Sequence, residues 1–551
     1  MAASPAPWQA HYPPDVGADL PADIAVLPAL WAEAVAAKPA AHFLHFMGSR
    51  FSYAEVDAQM RTLMATLTAH GVTRGSRVGL CLPNCPLAVA AYYATLRLGA
   101  VVVNMNPLYT QDELAHLLHD STPAVVVTVN LSVMLPKLAA LQQMGLVPTL
   151  LVGDFTCHLP LHLRWGMRLF RRSQLAAIPV ADGIVPLPVT TVTPVAETTV
   201  NPTDLAVLQY TGGTTGIPKA AMLSHGALAA NVRQIQLWLG PPPPQGDTFL
   251  AILPLFHCFA MTAAMNLAIA NKAAIVLLPQ FNIHHVLKAL ARGVTLLPAV
   301  PTLINALVTS PHSRPHHFAH LRYAILGGAP LAPELERRFT ALSSSKLVEG
   351  YGLSEASPVV TCNPRHRANR HGSAGLPLPS TRVRIVGKNG KEAKPGAVGE
   401  VQVQGPQLMD GYWNNPAATK TVFKHGWLAT GDLGFMDAEG YLHLTDRSKD
   451  IILVNGYNVY PRIIEDALTT HPAVAEVMVI GIPDAKKGEV PHAFVVLKHG
   501  ATATAEQLLA YARAKLNPLE RPTRVVLRQS LPKTLVGKLS KKDLRAEVLG
   551  Q

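Results

Sequence analysis

The sequence predicts an α/β protein with a large N-terminal α/β body, a smaller β-rich lobe and a small, mobile α+β C-terminal domain. The first observation is rhythm. From about residue 73, short β-rich runs alternate with helical periodicity: strands over 77–82, 101–104 and 124–129, and a helix over 86–98. The rhythm returns with strands over 204–209, 249–253, 274–278, 295–297 and 323–326. Such alternation predicts βα units and parallel sheets flanked by helices. The second observation is that helices thin out after about Ser373 while turns multiply, as in Lys394-Pro-Gly-Ala-Val-Gly399 and Asn414-Asn-Pro416. The third is the charged segment Asp446-Arg-Ser-Lys-Asp450. Beyond it, helices are predicted over 461–470 and 504–516, and strands over 474–480, 492–497 and 523–527. Few apolar residues occupy that junction, so relative domain motion is expected. The division is therefore an extension over 1–29, a body over 30–446 and a mobile unit over 447–551. The proline run over 241–244 is a stiff surface connection, too short to divide domains.

Composition narrows the class. Of 551 residues, 49% are apolar and 15% charged, enough for a large core. No apolar run approaches the ~18–20 residues of a spanning helix. The Pro-rich start has neither a basic nor an apolar leader region, so no secretory signal is expected. Five scattered cysteines without zinc-ligand spacing predict reduced thiols in a cytoplasmic protein. The net charge of +12 calls for an anionic partner. It is spread along the chain without a basic, aromatic-interleaved run, which argues against nucleic acid. The densest basic stretch, residues 158–172, mixes Leu, Trp, Met and Phe with Arg164, Arg168, Arg171 and Arg172. Interfacial helices have this composition. Peripheral contact with an anionic membrane is one reading; a solvated basic loop over the core is the other.

The strongest local signal is Tyr210-Thr-Gly-Gly-Thr-Thr-Gly-Ile-Pro-Lys219, between an apolar strand and a helix that Ser224 can cap. Threonines and glycines at Thr211, Gly212, Gly213, Thr214, Thr215 and Gly216 aim N–H and hydroxyl groups at one point, as polyphosphate binding requires. Lys219 adds a cation. The spacing is not that of a P-loop, because Ile217 and Pro218 separate Gly216 from Lys219.

This segment resembles the phosphate-binding signature of the adenylate-forming (AMP-binding) superfamily, which includes acyl-CoA synthetases, peptide-synthetase adenylation domains and luciferases. Further signatures follow in order: Gly350-Tyr-Gly-Leu-Ser-Glu355, Thr430-Gly-Asp-Leu-Gly434, the stretch from Asp446 to Pro461, and Pro532-Lys-Thr-Leu-Val-Gly-Lys538. The resemblance runs from about residue 30 to the end. It implies ATP, Mg²⁺ and CoA as ligands, with Glu355 and the Thr211 hydroxyl at the metal positions. It implies an adenine pocket at Gly327, Gly328, Ala329 and Pro330 with Glu349, Gly350, Tyr351 and Gly352. Ser354 stands where most relatives carry Thr. Asp432 matches the ribose-binding carboxylate, and Arg447 would hold the ribose and phosphate side of AMP. Lys538 matches the invading lysine that bridges carboxylate and α-phosphate. Lys449 falls at the hinge, whose rotation would withdraw Lys538 and bring Gly456 and Tyr457 beside the pantetheine channel.

The family's acyl pocket maps to His257, Phe259 and Met261, then Val300 and Gly327. These offer no charge to a polar substrate, and no Asp near His257 would hold an amino group as in peptide-synthetase domains. Stretches such as Val103-Asn-Met-Asn-Pro-Leu-Tyr-Thr-Gln-Asp-Glu-Leu114 look closest to bacterial long-chain fatty-acid–CoA ligases. A core histidine is the alternative reading of His257. The expected activity is conversion of a fatty acid to acyl-AMP and then acyl-CoA. Rival readings are a medium-chain or aromatic acid–CoA ligase, an acyl-AMP ligase loading a carrier protein in trans, and a silent acyl-ligand sensor. Homodimer formation stays open.

Overall fold

The computed structural model describes residues 6–187, 195–211, 218–370, 372–447, 449–455, 457–484, 487–534 and 538–550. Two large sheets form the body. One runs in the order Gly411–Tyr412, Lys219–Ser224, Leu205–Thr211, Val101–Met105, Arg77–Cys81, Val125–Val129, Thr149–Gly153, Ile184–Pro186. It is parallel from Leu205–Thr211 onward, whereas Lys219–Ser224 and Gly411–Tyr412 add antiparallel edges. The other centres on parallel strands Lys346–Gly352, Tyr323–Leu326, Leu296–Ala299, Thr248–Ala251, Ala274–Leu277 and His42–Phe46. Val125–Val129 is a run of β-branched residues buried on both faces, as parallel sheets require.

Helix Pro86–Arg97 lies within the body with every residue buried. Its last residue is charged: Arg97 pairs with Asp57 at 2.7 Å and Glu197 at 2.5 Å, and Trp31 Nε1 donates to Asp57 at 3.0 Å. Buried ions need such partners. Ser224 caps helix His225–Leu239, its hydroxyl accepting the Ala227 N–H at 3.2 Å.

The smaller lobe is an antiparallel sheet in which Trp427–Met436 pairs with Gly399–Gln404, Phe423–Lys424 and Leu442–Arg447. The following residues build a separate sheet around the hairpin Val474–Asp484/Gly488–Leu497, with its own buried core of Ile464, Leu468, Val479, Val495 and Leu508. Residues 6–29 are tied to the body. The Tyr12 hydroxyl donates to the Pro377 carbonyl, and the ring packs edge-on against Trp238.

The basic stretch forms helix Leu161–Phe170, with no buried residue. Arg168 meets Asp154 at 2.7 Å and Arg164 approaches it at 4.0 Å, so these arginines lean toward that carboxylate while staying partly exposed. Leu161, Trp165, Leu169 and Phe170 are 71, 64, 67 and 88% exposed. The apolar side chains, not all four arginines, make up the outer surface. Among the described residues, no helix is long and apolar enough to cross a membrane.

Candidate active site

Both large sheets and both smaller units border one continuous cleft of about 2690 Å³. Strand Leu205–Thr211 delivers Thr211 to its edge, opposite Lys219 on the returning strand; the Thr211 hydroxyl donates to the Lys219 carbonyl at 3.3 Å. Gly212, Gly213, Thr214, Thr215 and Gly216, in the intervening loop, lie outside the described residues. The Lys219 ammonium stands 5.4 Å from the centre of the Tyr412 ring, and the Tyr412 hydroxyl donates to Glu355 Oε1 at 2.8 Å. Edge pairing of Gly411–Tyr412 with Lys219–Ser224 places Tyr412 there. Tyr412 was not singled out in the sequence; its role comes from pairing distant strands, which no local pattern announces. Glu355 sits in the turn Ser354–Ala356 after strand Lys346–Gly352, its carbonyl accepting the Met409 N–H at 2.8 Å. One carboxylate and one hydroxyl, Glu355 and Thr211, suit a hard cation that keeps waters and phosphate oxygens in its shell.

On the opposite wall, Gly327–Pro330 links strand Tyr323–Leu326 to helix Pro333–Leu342 and lies beside Glu349, Gly350, Tyr351 and Gly352, because Leu326 and Glu349 are parallel register partners. Glu349 Oε1 accepts the Leu331 N–H at 3.0 Å. Burial raises its carboxyl to about 7, with the Leu331 bond and Arg462 pulling the other way. The Tyr351 hydroxyl donates to Asp432 Oδ2 at 2.6 Å, and Arg447 Nε meets Asp432 Oδ1 at 3.1 Å. The register sets this pairing, because Asp432 and Arg447 are opposite partners in the lobe's ladder.

Lys538 enters from the C-terminal unit. It lies so close to Gly328 that a Cβ on that glycine would fall 2.4 Å from Lys538 Cε and 3.1 Å from Nζ. Gly328 also has φ +87°, so glycine is required twice over. Burial lowers the pKa of the Lys538 ammonium, as does the charge of Arg447, while Asp432 opposes them. Burial, then the nearby Lys538, pushes the His257 imidazole down to about 4, so it is neutral at pH 7. Its Nδ1 accepts the Phe259 N–H at 3.3 Å, which leaves the ring proton on Nε2.

His257, Phe259, Val300 and Gly327 line the cleft together, beside Asn104 and Gln209. Met261 stands behind that surface, fully buried at the start of the π-helical turn Met261–Asn266. Asn104 Nδ2 reaches Met261 Sδ at 3.3 Å and Gln209 Oε1 at 3.0 Å, and Gln209 Nε2 donates to the Phe256 carbonyl at 3.1 Å. This amide pair was not anticipated either; the two residues meet because they are register partners on adjacent strands. Ser354 and Lys449 also line the cleft. Tyr457 does not: it is 63% exposed on strand Tyr457–Val459, and Gly456 lies outside the described residues.

Cations brought from two sides to a glycine-walled crevice, one of them carried by a separate unit, form the layout of an adenylate-forming enzyme. Its pieces fit activation of an acid by nucleotide better than attack by a protein nucleophile. The sequence agrees with the geometry, and the chain belongs to the AMP-binding enzyme family. The family model matches residues 31–413, and the AMP-binding enzyme C-terminal domain matches residues 463–538. Long-chain-fatty-acid–CoA ligase of Bacillus subtilis (strain 168) is 37% identical, covering 98% of each chain. The Escherichia coli O157:H7 protein of the same name is 35% identical over 99% of this chain and 98% of its own. ATP-bound MatB from Rhodopseudomonas palustris superposes with a TM-score of 0.83 at 30% identity, covering 96% of this chain and 100% of that one. Against apo MatB the score is 0.72.

Proposed function

We propose that the protein is a fatty-acid–CoA ligase acting on long acyl chains. The observation that carries this reading is Lys538, delivered by the C-terminal unit onto Gly328, beside Arg447 and Asp432. In the first step a carboxylate oxygen attacks the α-phosphorus of ATP. The bond to the β-phosphate oxygen breaks, and acyl-AMP and pyrophosphate form. Lys538 bridges the carboxylate and α-phosphate, Arg447 and Lys219 face the phosphates, and Asp432 accepts the ribose hydroxyls. Fixed cations are effective here because charge accumulates on the transferring phosphoryl oxygens. Thr211 and Glu355 would hold Mg²⁺, which supplies charge neutralisation at the phosphates when bound. In the second step the CoA sulfur, having lost its proton, attacks the acyl carbon and expels AMP. Rotation at Lys449 brings Gly456 and Tyr457 to the pantetheine arm, in keeping with the exposure of Tyr457 in the present orientation.

A fatty acid suits the neutral His257 and the apolar Phe259 and Val300, and the near full-length similarity to long-chain-fatty-acid–CoA ligases supports it. The test is product formation across acids from two to eighteen carbons, with and without CoA. Acyl-CoA, AMP and pyrophosphate should appear together and favour twelve carbons or more, at ~0.8 kcal/mol per buried CH₂. Preference for acetate or benzoate would overturn the substrate assignment, and acyl-AMP with no CoA dependence would favour loading of a carrier protein.

We also place the enzyme at the cytoplasmic surface of an anionic membrane, docked through helix Leu161–Phe170. Leu161, Trp165 and Leu169 repeat every four residues and project outward together, the helix has no acidic residue, and exposed Arg171 and Arg172 follow it. Apolar insertion flanked by cations fits anionic lipid. Replacing Leu161, Trp165 and Leu169 by Ser should abolish binding to phosphatidylglycerol vesicles without affecting turnover of soluble acids. Unchanged vesicle binding would refute the surface, and loss of a dimer instead would assign it to a second copy.

A further inference from the structure

Two carboxylates straddle Lys449, and a single helix holds both. On the body side, Asp446 belongs to strand Leu442–Arg447, fixed opposite Leu433 in the lobe's ladder. On the other side is Asp450. Lys541 and Arg545, one turn apart on helix Lys541–Leu549, reach them: Lys541 Nζ is 3.8 Å from Asp446 Oδ1, and Arg545 Nη1 is 2.8 Å from Asp450 Oδ1. Rotation about Lys449 can carry the Arg545–Asp450 pair along unchanged, but it must separate Lys541 from Asp446.

Besides Lys541, two backbone N–H groups hold Asp446. Its side chain is 6% exposed, and Oδ2 accepts the Arg462 N–H at 3.0 Å. That donor needs it. Arg462 lies in the first turn of helix Pro461–Thr469, whose N-cap Tyr460 offers no side-chain acceptor and whose Pro461 has no N–H. Oδ1 also accepts the Arg447 N–H at 2.8 Å, which links Asp446 to the residue that braces Asp432. Glu465 completes the grip on Lys541 at 3.1 Å. Lys538 is three residues from Lys541. The connection is stiff: Ser540 N–H donates to the Pro532 carbonyl at 2.9 Å, and its hydroxyl caps the helix at Asp543 N.

We propose that Asp446 is a positioning residue for the first half-reaction: by holding Lys541 and the Arg462 N–H across the hinge, it keeps the C-terminal unit in the orientation that sets Lys538 against Gly328. The inference rests on the two-step ligase reading. Its test measures both steps singly, in the full-length enzyme: acyl-AMP formation from acid and ATP, and acyl-CoA formation from supplied acyl-AMP and CoA. In Asp446→Ala the first should fall by roughly 10–100-fold, the scale of a 1 Å misplacement. The second should be unchanged or faster. Asp446→Asn, which keeps an acceptor for the Arg462 N–H, should lie between, and Lys541→Met should repeat the split. Equal losses in both steps in the variants that fold, or an unchanged first step, would overturn the proposal. A wild-type protein that makes no acyl-AMP from any acid would instead overturn the ligase reading, and this inference with it.

Discussion

Replacing Gly328 with alanine should disable acyl-adenylate formation selectively. Two effects combine. The φ of +87° costs an L-residue about 1–2 kcal/mol, and this part should appear as lowered thermal stability. The new Cβ would lie 2.4 Å from Lys538 Cε, whereas carbons in contact prefer roughly 3.5–4.0 Å. The lysine must therefore retreat by about 1 Å or more, a displacement worth on the order of 10²-fold in rate. The assay is acid-dependent ATP–pyrophosphate exchange at saturating ATP, with ATP affinity and conversion of supplied acyl-AMP measured separately. Exchange should fall about a hundredfold, while the second step, during which Lys538 has withdrawn, changes little. In a Lys538→Ala background the same substitution should have almost no further effect on exchange, because the displaced group is already gone. If exchange survives in Gly328→Ala, or if its full penalty persists without Lys538, the placement of the lysine at this turn is wrong.

Glu355→Gln preserves shape and removes charge, so turnover should fall and require more Mg²⁺; an unchanged Mg²⁺ dependence would make Glu355 a structural turn residue. Glu349 tests the electrostatics of the turn after strand Tyr323–Leu326, where it accepts the Leu331 N–H. Its folded carboxyl is raised to about 7 against ~4.3 unfolded, so its stabilising contribution is complete below ~4.3 and lost as pH rises through about 7. Between pH 5 and 8 the wild type should therefore lose melting temperature relative to Glu349→Gln. A difference that does not vary with pH contradicts this assignment.

The alternation of strands and helices was legible because apolar, β-branched runs bounded by turns are short and local. The strand expected over 323–326 is Tyr323–Leu326, and that over 101–104 is Val101–Met105. The strand expected over 474–480 runs on to Asp484, since pairing with Gly488–Leu497 carries it through Pro483. Thr211, Gly328, Glu355 and Arg447 line the cleft because each lies at a strand end or turn whose local chemistry marks it, whereas Tyr457, in an equally marked segment, stands outside it. What stayed hidden was set by partners far along the chain: Tyr412 on Glu355, Asn104 on Gln209, and Tyr12 on Pro377. The basic stretch shows the same limit. Its composition named the arginines, but only the fold turns Arg164 and Arg168 toward Asp154 and leaves Trp165 and Leu169 outside.

The central claim is that Lys538 serves the first chemical step and not the second. The direct measurement is Lys538→Ala in single-turnover experiments on each half-reaction. Loss of one charge contact to the transition state should slow acyl-AMP formation by ~10²–10³-fold or more. Conversion of supplied acyl-AMP and CoA to acyl-CoA should stay near the wild-type rate. Equal slowing of both steps, or an acyl-AMP rate unaffected by the substitution, would contradict the account.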